Sequence, residues 1–121
     1  MISPAIRQKI YVIGWSLIIL FFTLSPKGPE VAPLIDIPHF DKVGHFGLFF
    51  ILSLLLYYPI KSYDHKFKWL FFWCYNIIMG MGTEYIQTFI PNRSGDVFDF
   101  IANMLGTGIG LFVISNINFR S

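Results

Sequence analysis

Four apolar runs, at about 10–25, 43–60, 69–90 and 97–117, are separated by polar breaks along the chain. Each is close to the roughly 20 residues that carry an α-helix across the hydrocarbon core of a bilayer. The pattern predicts four transmembrane helices. The first run is slightly short, but Arg7 and Lys9 precede it and can extend their charged ends to the interface. A cleavable signal peptide is the competing reading of that basic start. Thr23-Leu24-Ser25-Pro26 is a poor small-x-small cleavage site, and three more runs follow, so an uncleaved span is expected.

The charges orient the bundle. With the N-terminus cytoplasmic, the inner segments hold Arg7, Lys9, Lys61, Lys66, Lys68 and Arg120. The outer ones hold Lys27, Lys42 and Arg93, diluted by Glu30, Asp36, Asp41 and Asp96. This bias fits the positive-inside rule and puts both termini in the cytoplasm. The outer connection from Ser25 to Asp41 carries four prolines and an apolar Val31–Ile35 stretch, which suits a segment lying on the membrane surface or over the helix ends. A solvated loop is the alternative. Pro91 to Asp96 is a tight turn, predicting an antiparallel pair of the third and fourth helices. Gly106 and Gly110 on the fourth, with Gly80 and Gly82 on the third, are expected to let those backbones approach.

Composition strengthens this reading. The chain has 121 residues, 55% hydrophobic and only 13% charged. So short a soluble domain could not hide that much apolar surface. One all-α membrane domain over 1–121 accounts for the length. A net charge of +2, with no dense basic patch, argues against nucleic acid. Cys74 stands alone, which excludes a disulfide or multi-cysteine framework and predicts a buried core thiol.

The polar residues within or beside the spans carry the chemistry. Asp41, Lys42 and His45 open the second helix. Glu84 and Gln87 share a face of the third. Asp96, Asp99 and Asn103 draw one stripe down the fourth, and Arg93 sits in the turn before it. All fall in the outer half of the membrane. An ionisable group at a helix centre costs about 2.5–3.5 kcal/mol on insertion scales, so these groups are expected to face one another or water. A small outward-facing polar cavity is the simplest packing, floored by nearly apolar inner halves. Local roles compete with this. Asp96 and Asp41 are suited to N-capping, Asn103 and Gln87 to interhelical hydrogen bonds, and Arg93 to a nearby carboxylate or lipid phosphate. His39 and His65 show no ligand spacing; a metal held by His45 with Glu84 and Asp99 is geometrically conceivable, but no metal or cofactor is expected.

Asp41-Lys42-Val43-Gly44-His45-Phe46, and the run Glu84 to Asp99 followed by Asn103 and Gly106, resemble the two signatures of the VanZ-like family. The signatures cover about half the chain, and the four-span layout extends the likeness to nearly all of it. Some members carry additional spans or domains. The family is named for a protein associated with teicoplanin resistance, so the resemblance implies a setting in the bacterial cell envelope, at the inner membrane. Two functions are then open. The cavity binds an envelope lipid, a cell-wall-related molecule or a glycopeptide-like ligand. Alternatively it is the active site of an intramembrane hydrolase or transferase, with Glu84 or Asp99 as base and His45 as acid or orienting partner. In both, Asp41, Lys42, Gln87, Arg93, Asp96 and Asn103 would contact the bound molecule, and membrane lipids are the surroundings. Ion or proton movement would want polar groups in the inner halves as well.

Overall fold

The computed structural model describes residues 2–25, 40–90 and 95–120; of Phe40, Asp41 and the last three of these, only the backbone is described. Four helices account for nearly all of it: α1 (Pro4–Leu24), α2 (Phe40–Ile60), α3 (His65–Gln87) and α4 (Val97–Arg120). No strand occurs among the described residues. Three of the helices contain stretches long and apolar enough to cross a membrane: Pro4–Leu24, Lys42–Ile60 and Val97–Ile117. The third predicted run is helical too, but its composition falls short of that standard.

Helix boundaries differ from the apolar runs because polar turns at the ends stay helical. Ser3 caps α1, its hydroxyl accepting the Ile6 N–H, and Pro4 fits the first turn, which needs no N–H. α3 starts at His65, ahead of its apolar run. It stops at Gln87, after which Thr88, Phe89 and Ile90 donate to carbonyls three residues back. Glu84 is therefore one turn from the helix end, about 4.5 Å at 1.5 Å per residue. α2 starts at Phe40, which places Asp41 inside the first turn rather than at the N-cap. Segments 26–39 and 91–94 lie outside the described residues, and with them the Val31–Ile35 stretch, His39, Arg93 and the tight turn.

Each helix turns one stripe inward, and much of that stripe is polar. α1 buries Val12, Ser16, Ile19 and Thr23; α3 buries Phe72, Asn76, Gly80, Thr83, Glu84 and Gln87. On α4, Asp99, Asn103, Thr107 and Ile114 are buried. These spacings of three and four residues define one face of a helix. The opposite faces are apolar and open: Ile78 is 70% exposed and Phe112 69%, whereas Asn76, Asn103 and Thr107 are fully buried. Apolar outside and polar within is the arrangement that lipid stabilises, since lipid gives no reward for hiding leucine but penalises an unpaired polar group. Cys74 falls on the open side of α3, two residues from Phe72 and Asn76, so it is exposed rather than buried.

The glycines choose their partners differently from the expectation. A Cβ on Gly106 would stand 2.2 Å from the Phe46 carbonyl oxygen, and one on Gly110 2.8 Å from that of Phe50. Both contacts are with α2. Residue numbers rise together along this contact, so α2 and α4 run parallel, and it is the most extensive helix pairing. α3 and α4 do pack antiparallel, through Gly80 against the Phe100 and Met104 side chains. A turn can force neighbouring helices antiparallel, but the closest backbone approach goes where Gly106 and Gly110 of α4 meet the α2 backbone at Phe46 and Phe50.

The interior halves are also less apolar than expected. The Thr107 hydroxyl lies 3.1 Å from Asn76 Oδ1, Ser53 donates to the Thr107 carbonyl, and Asn76 donates to the Phe72 carbonyl. Ser16 and Tyr75 meet between α1 and α3. These neutral groups hydrogen-bond with one another and with backbone, which ties four helices together beneath the charged end.

Candidate functional site

α2 and α4 begin at the end of the bundle where α3 finishes. That topology brings Lys42 and His45, Glu84 and Gln87, and Asp96, Asp99 and Asn103 to one place. Lys42 Nζ lies 3.1 Å from Asp96 Oδ2 and 3.2 Å from Asp99 Oδ1, joining α2 to the start of α4. His45 is buried at the centre. Its Nδ1 is 3.0 Å from Asn103 Oδ1 and 3.7 Å from Glu84 Oε1, and its Nε2 is 3.5 Å from Asp99 Oδ2. Glu84 Oε2 accepts the Asp96 backbone N–H at 3.1 Å. Gln87 instead reaches across to α1, its Nε2 donating to the Thr23 carbonyl.

Asp96 combines the two roles open to it. Its Oδ1 accepts the Phe98 N–H at 2.9 Å, capping α4, while Oδ2 meets Lys42. The Phe98 N–H and then the Lys42 ammonium hold its carboxyl below the ordinary carboxylate range. Deeper in, the cluster has spare bonding capacity. Glu84 Oε1, Gln87 Oε1 and Asn103 Nδ2 are buried and make no hydrogen bond with the described residues. Buried polar atoms of this kind are few in native proteins, and Glu84 Oε1 stands 3.7 Å from His45 Nδ1, where a bound group could satisfy it.

The cluster also opens sideways. An apolar groove of about 380 Å³ runs between α1 and α2, lined by Trp15, Phe22, Thr23, Gly44, His45, Gly47, Leu48 and Ile51. Trp15 ties its walls together by donating its indole N–H to the Leu48 carbonyl. Gly44 and Gly47 keep the groove wide, since a Cβ on either would meet nothing within 4 Å. His45 belongs both to the groove wall and to the polar cluster.

Seven of the nine polar site candidates, Lys42, His45, Glu84, Gln87, Asp96, Asp99 and Asn103, thus converge at this end, with Gln87 bonded toward α1. The Asp41 side chain and Arg93 lie outside the described residues. Asn76, Ser53 and Thr107, which extend the polar interior, escaped sequence reading. Thr107 continues the Asp99–Asn103 stripe by four residues, and Asn76 lies two four-residue steps before Glu84, so helical spacing was the signal available.

Comparison with known proteins places the chain in a family. The chain is 33% identical over 109 residues to an uncharacterized protein of Schizosaccharomyces pombe, covering 90% of this chain and 64% of that protein. It is 26% identical over 71 residues to a cholesterol 25-hydroxylase-like protein of Caenorhabditis briggsae, covering 59% of this chain but only 22% of that one. The chain therefore spans less than two thirds of either relative, and both are eukaryotic. No solved structure matches it. The VanZ/LLP1 family model matches residues 8–118, nearly the whole chain and every described site residue, so this protein belongs to the VanZ/LLP1 family.

Proposed function

We propose that this chain is a four-span membrane protein, both termini cytoplasmic, that holds an amphiphilic ligand at the outer leaflet. The ligand's polar head meets Lys42, His45, Glu84, Asp99 and Asn103, and its apolar part lies in the groove between α1 and α2. One observation carries the reading: His45 lines an apolar groove on one side and stands among carboxylates on the other. Arg93 and Asp41, placed by sequence beside the cluster, would close it from above. Three carboxylates facing one lysine among these described side chains favour a head rich in hydroxyl, amide or amine donors. Envelope lipids and lipid-linked, cell-wall-related or glycopeptide-like molecules all offer a polar head on a bulky or apolar body. A bacterial inner membrane is the setting implied by the resemblance. The eukaryotic relatives tie the proposal to the leaflet rather than to a kind of organism.

The test separates head from tail. Protein purified in mild detergent is extracted and its retained amphiphiles identified by mass spectrometry. Gly47→Leu, at a groove position where a Cβ meets nothing within 4 Å, projects its side chain into the groove and is expected to lose them, while Gly108→Ala, where a Cβ also meets nothing, keeps them. Unchanged retention in Gly47→Leu contradicts the groove.

A second reading, an intramembrane hydrolase or transferase, is favoured by one feature, the placing of His45 between Glu84 and Asp99. A histidine so placed is suited to moving a proton for a lipid-linked substrate. Catalysis predicts that Glu84→Gln retains the ligand intact and forms no product; binding alone predicts that no product forms with the wild type either.

A further inference from the structure

His45 is surrounded by more acceptors than a neutral ring can satisfy. Asn103 Oδ1 and Glu84 Oε1 face Nδ1 at 3.0 and 3.7 Å, and Asp99 Oδ2 faces Nε2 at 3.5 Å. A neutral imidazole carries one proton, so one nitrogen sets a lone pair toward an oxygen. A second proton on the ring would relieve that opposition. Glu84 Oε1 would remain, nine-tenths buried with its side chain and accepting no hydrogen bond from a described residue. A buried carboxylate oxygen in that position points to a cation.

The neighbouring groups hold these atoms as outer partners hold metal ligands. Glu84 Oε2 is fixed by the Asp96 N–H, which turns Oε1 toward His45. Asp99 Oδ1 is fixed by Lys42, with Oδ2 on the imidazole side. Asn103 Oδ1 steadies the ring at Nδ1. Partners of this kind set ligand orientation and, in histidine, the tautomer. One nitrogen of His45 and one oxygen from each of Glu84 and Asp99 come within 4.8 Å of one another. A tetrahedral ion with bonds of about 2.0–2.2 Å sets its ligands about 3.3 Å apart, so side-chain shifts of about 1 Å close the set.

We propose that His45, Glu84 and Asp99 bind a single divalent transition-metal ion of the zinc type. One imidazole nitrogen with two carboxylate oxygens is an N/O donor set that suits zinc, whereas calcium takes six to eight oxygens. Three protein ligands leave a fourth position open to a water or to an oxygen of a bound molecule. The ion offsets the charge of both carboxylates. This inference goes beyond amphiphile binding and does not depend on it.

The experiment uses the full chain in detergent, purified without a histidine tag and carrying His65→Ala to remove an exposed imidazole. After chelator treatment it is titrated with Co²⁺, followed by visible absorption, and then with Zn²⁺ in competition. One equivalent of Co²⁺ is expected to give a saturable spectrum that Zn²⁺ abolishes. Glu84→Gln, nearly isosteric, and His45→Ala are each expected to weaken binding by about 100-fold or more. Asn103→Ala, which loosens a ligand, should weaken it about 10- to 100-fold. Circular dichroism checks folding, and if His45→Ala is unfolded, Glu84→Gln decides. Absence of saturable binding in the parent protein overturns the proposal, as does wild-type affinity in folded Glu84→Gln. A parent protein that binds no ion yet retains its amphiphile overturns this inference and leaves the proposed function standing.

Discussion

Asp96 shows how one side chain serves two purposes at the rim of the site. Its carboxylate caps α4 and pairs with Lys42, and both contacts favour the charged form. A carboxyl held below its ordinary range adds stability above that range, and the contribution is lost as pH falls through the lowered value. The melting temperature is therefore expected to drop below about pH 4, and Asp96→Asn to flatten that drop. Asparagine keeps the cap while removing the charge, so an unchanged pH profile in thermal melts would contradict the Lys42 pairing. Most of the polar site residues were legible in the sequence because charge is conspicuous in an apolar run and costly to insert. Asn76, Ser53 and Thr107 were not, since a neutral residue in such a run looks the same facing lipid or facing a partner. Only contact between helices distinguishes the two.

At the scale of elements, four helices followed directly from four apolar runs. Their ends did not, because hydropathy marks where lipid begins rather than where hydrogen bonding stops. Nor did the partner of Gly106 and Gly110 follow. Their spacing identifies one side of α4, whereas the choice of α2 over α3 depends on how all four helices pack. The consequence is a sharp contrast between neighbouring glycines. Gly106→Ala drives a methyl group against the Phe46 carbonyl oxygen and should destabilise the fold by about 1–3 kcal/mol. Gly108→Ala meets nothing and should leave stability unchanged or slightly higher. Denaturation of the two variants in matched detergent checks this, and equal stabilities would contradict the tight parallel contact of α2 with α4.

For the molecule as a whole, lipid reverses the usual order, with polar groups packed inside and apolar faces outward. α3 fits this scheme although its overall composition is less apolar than that of its neighbours. Its polar residues Asn76, Thr83, Glu84 and Gln87 face the bundle, while Ile78, Met81 and Tyr85 face out. If α3 crosses the bilayer, reporters at the N-terminus, near Lys61 and at the C-terminus should all appear on the cytoplasmic side, and one within 91–96 on the other. Finding 61–64 and 91–96 on the same side would contradict the four-span topology. In the proposed function, the polar end of this bundle binds an amphiphile through Lys42, Asn103 and their neighbours, with its apolar part in the groove at Gly47. Native mass spectrometry of the chain released from detergent tests this. The wild type should carry one amphiphile per chain, and a Lys42→Ala, Asn103→Ala, Gly47→Leu triple variant should emerge bare while retaining its helicity. A bare wild-type chain, or a folded triple variant as loaded as the wild type, would contradict it.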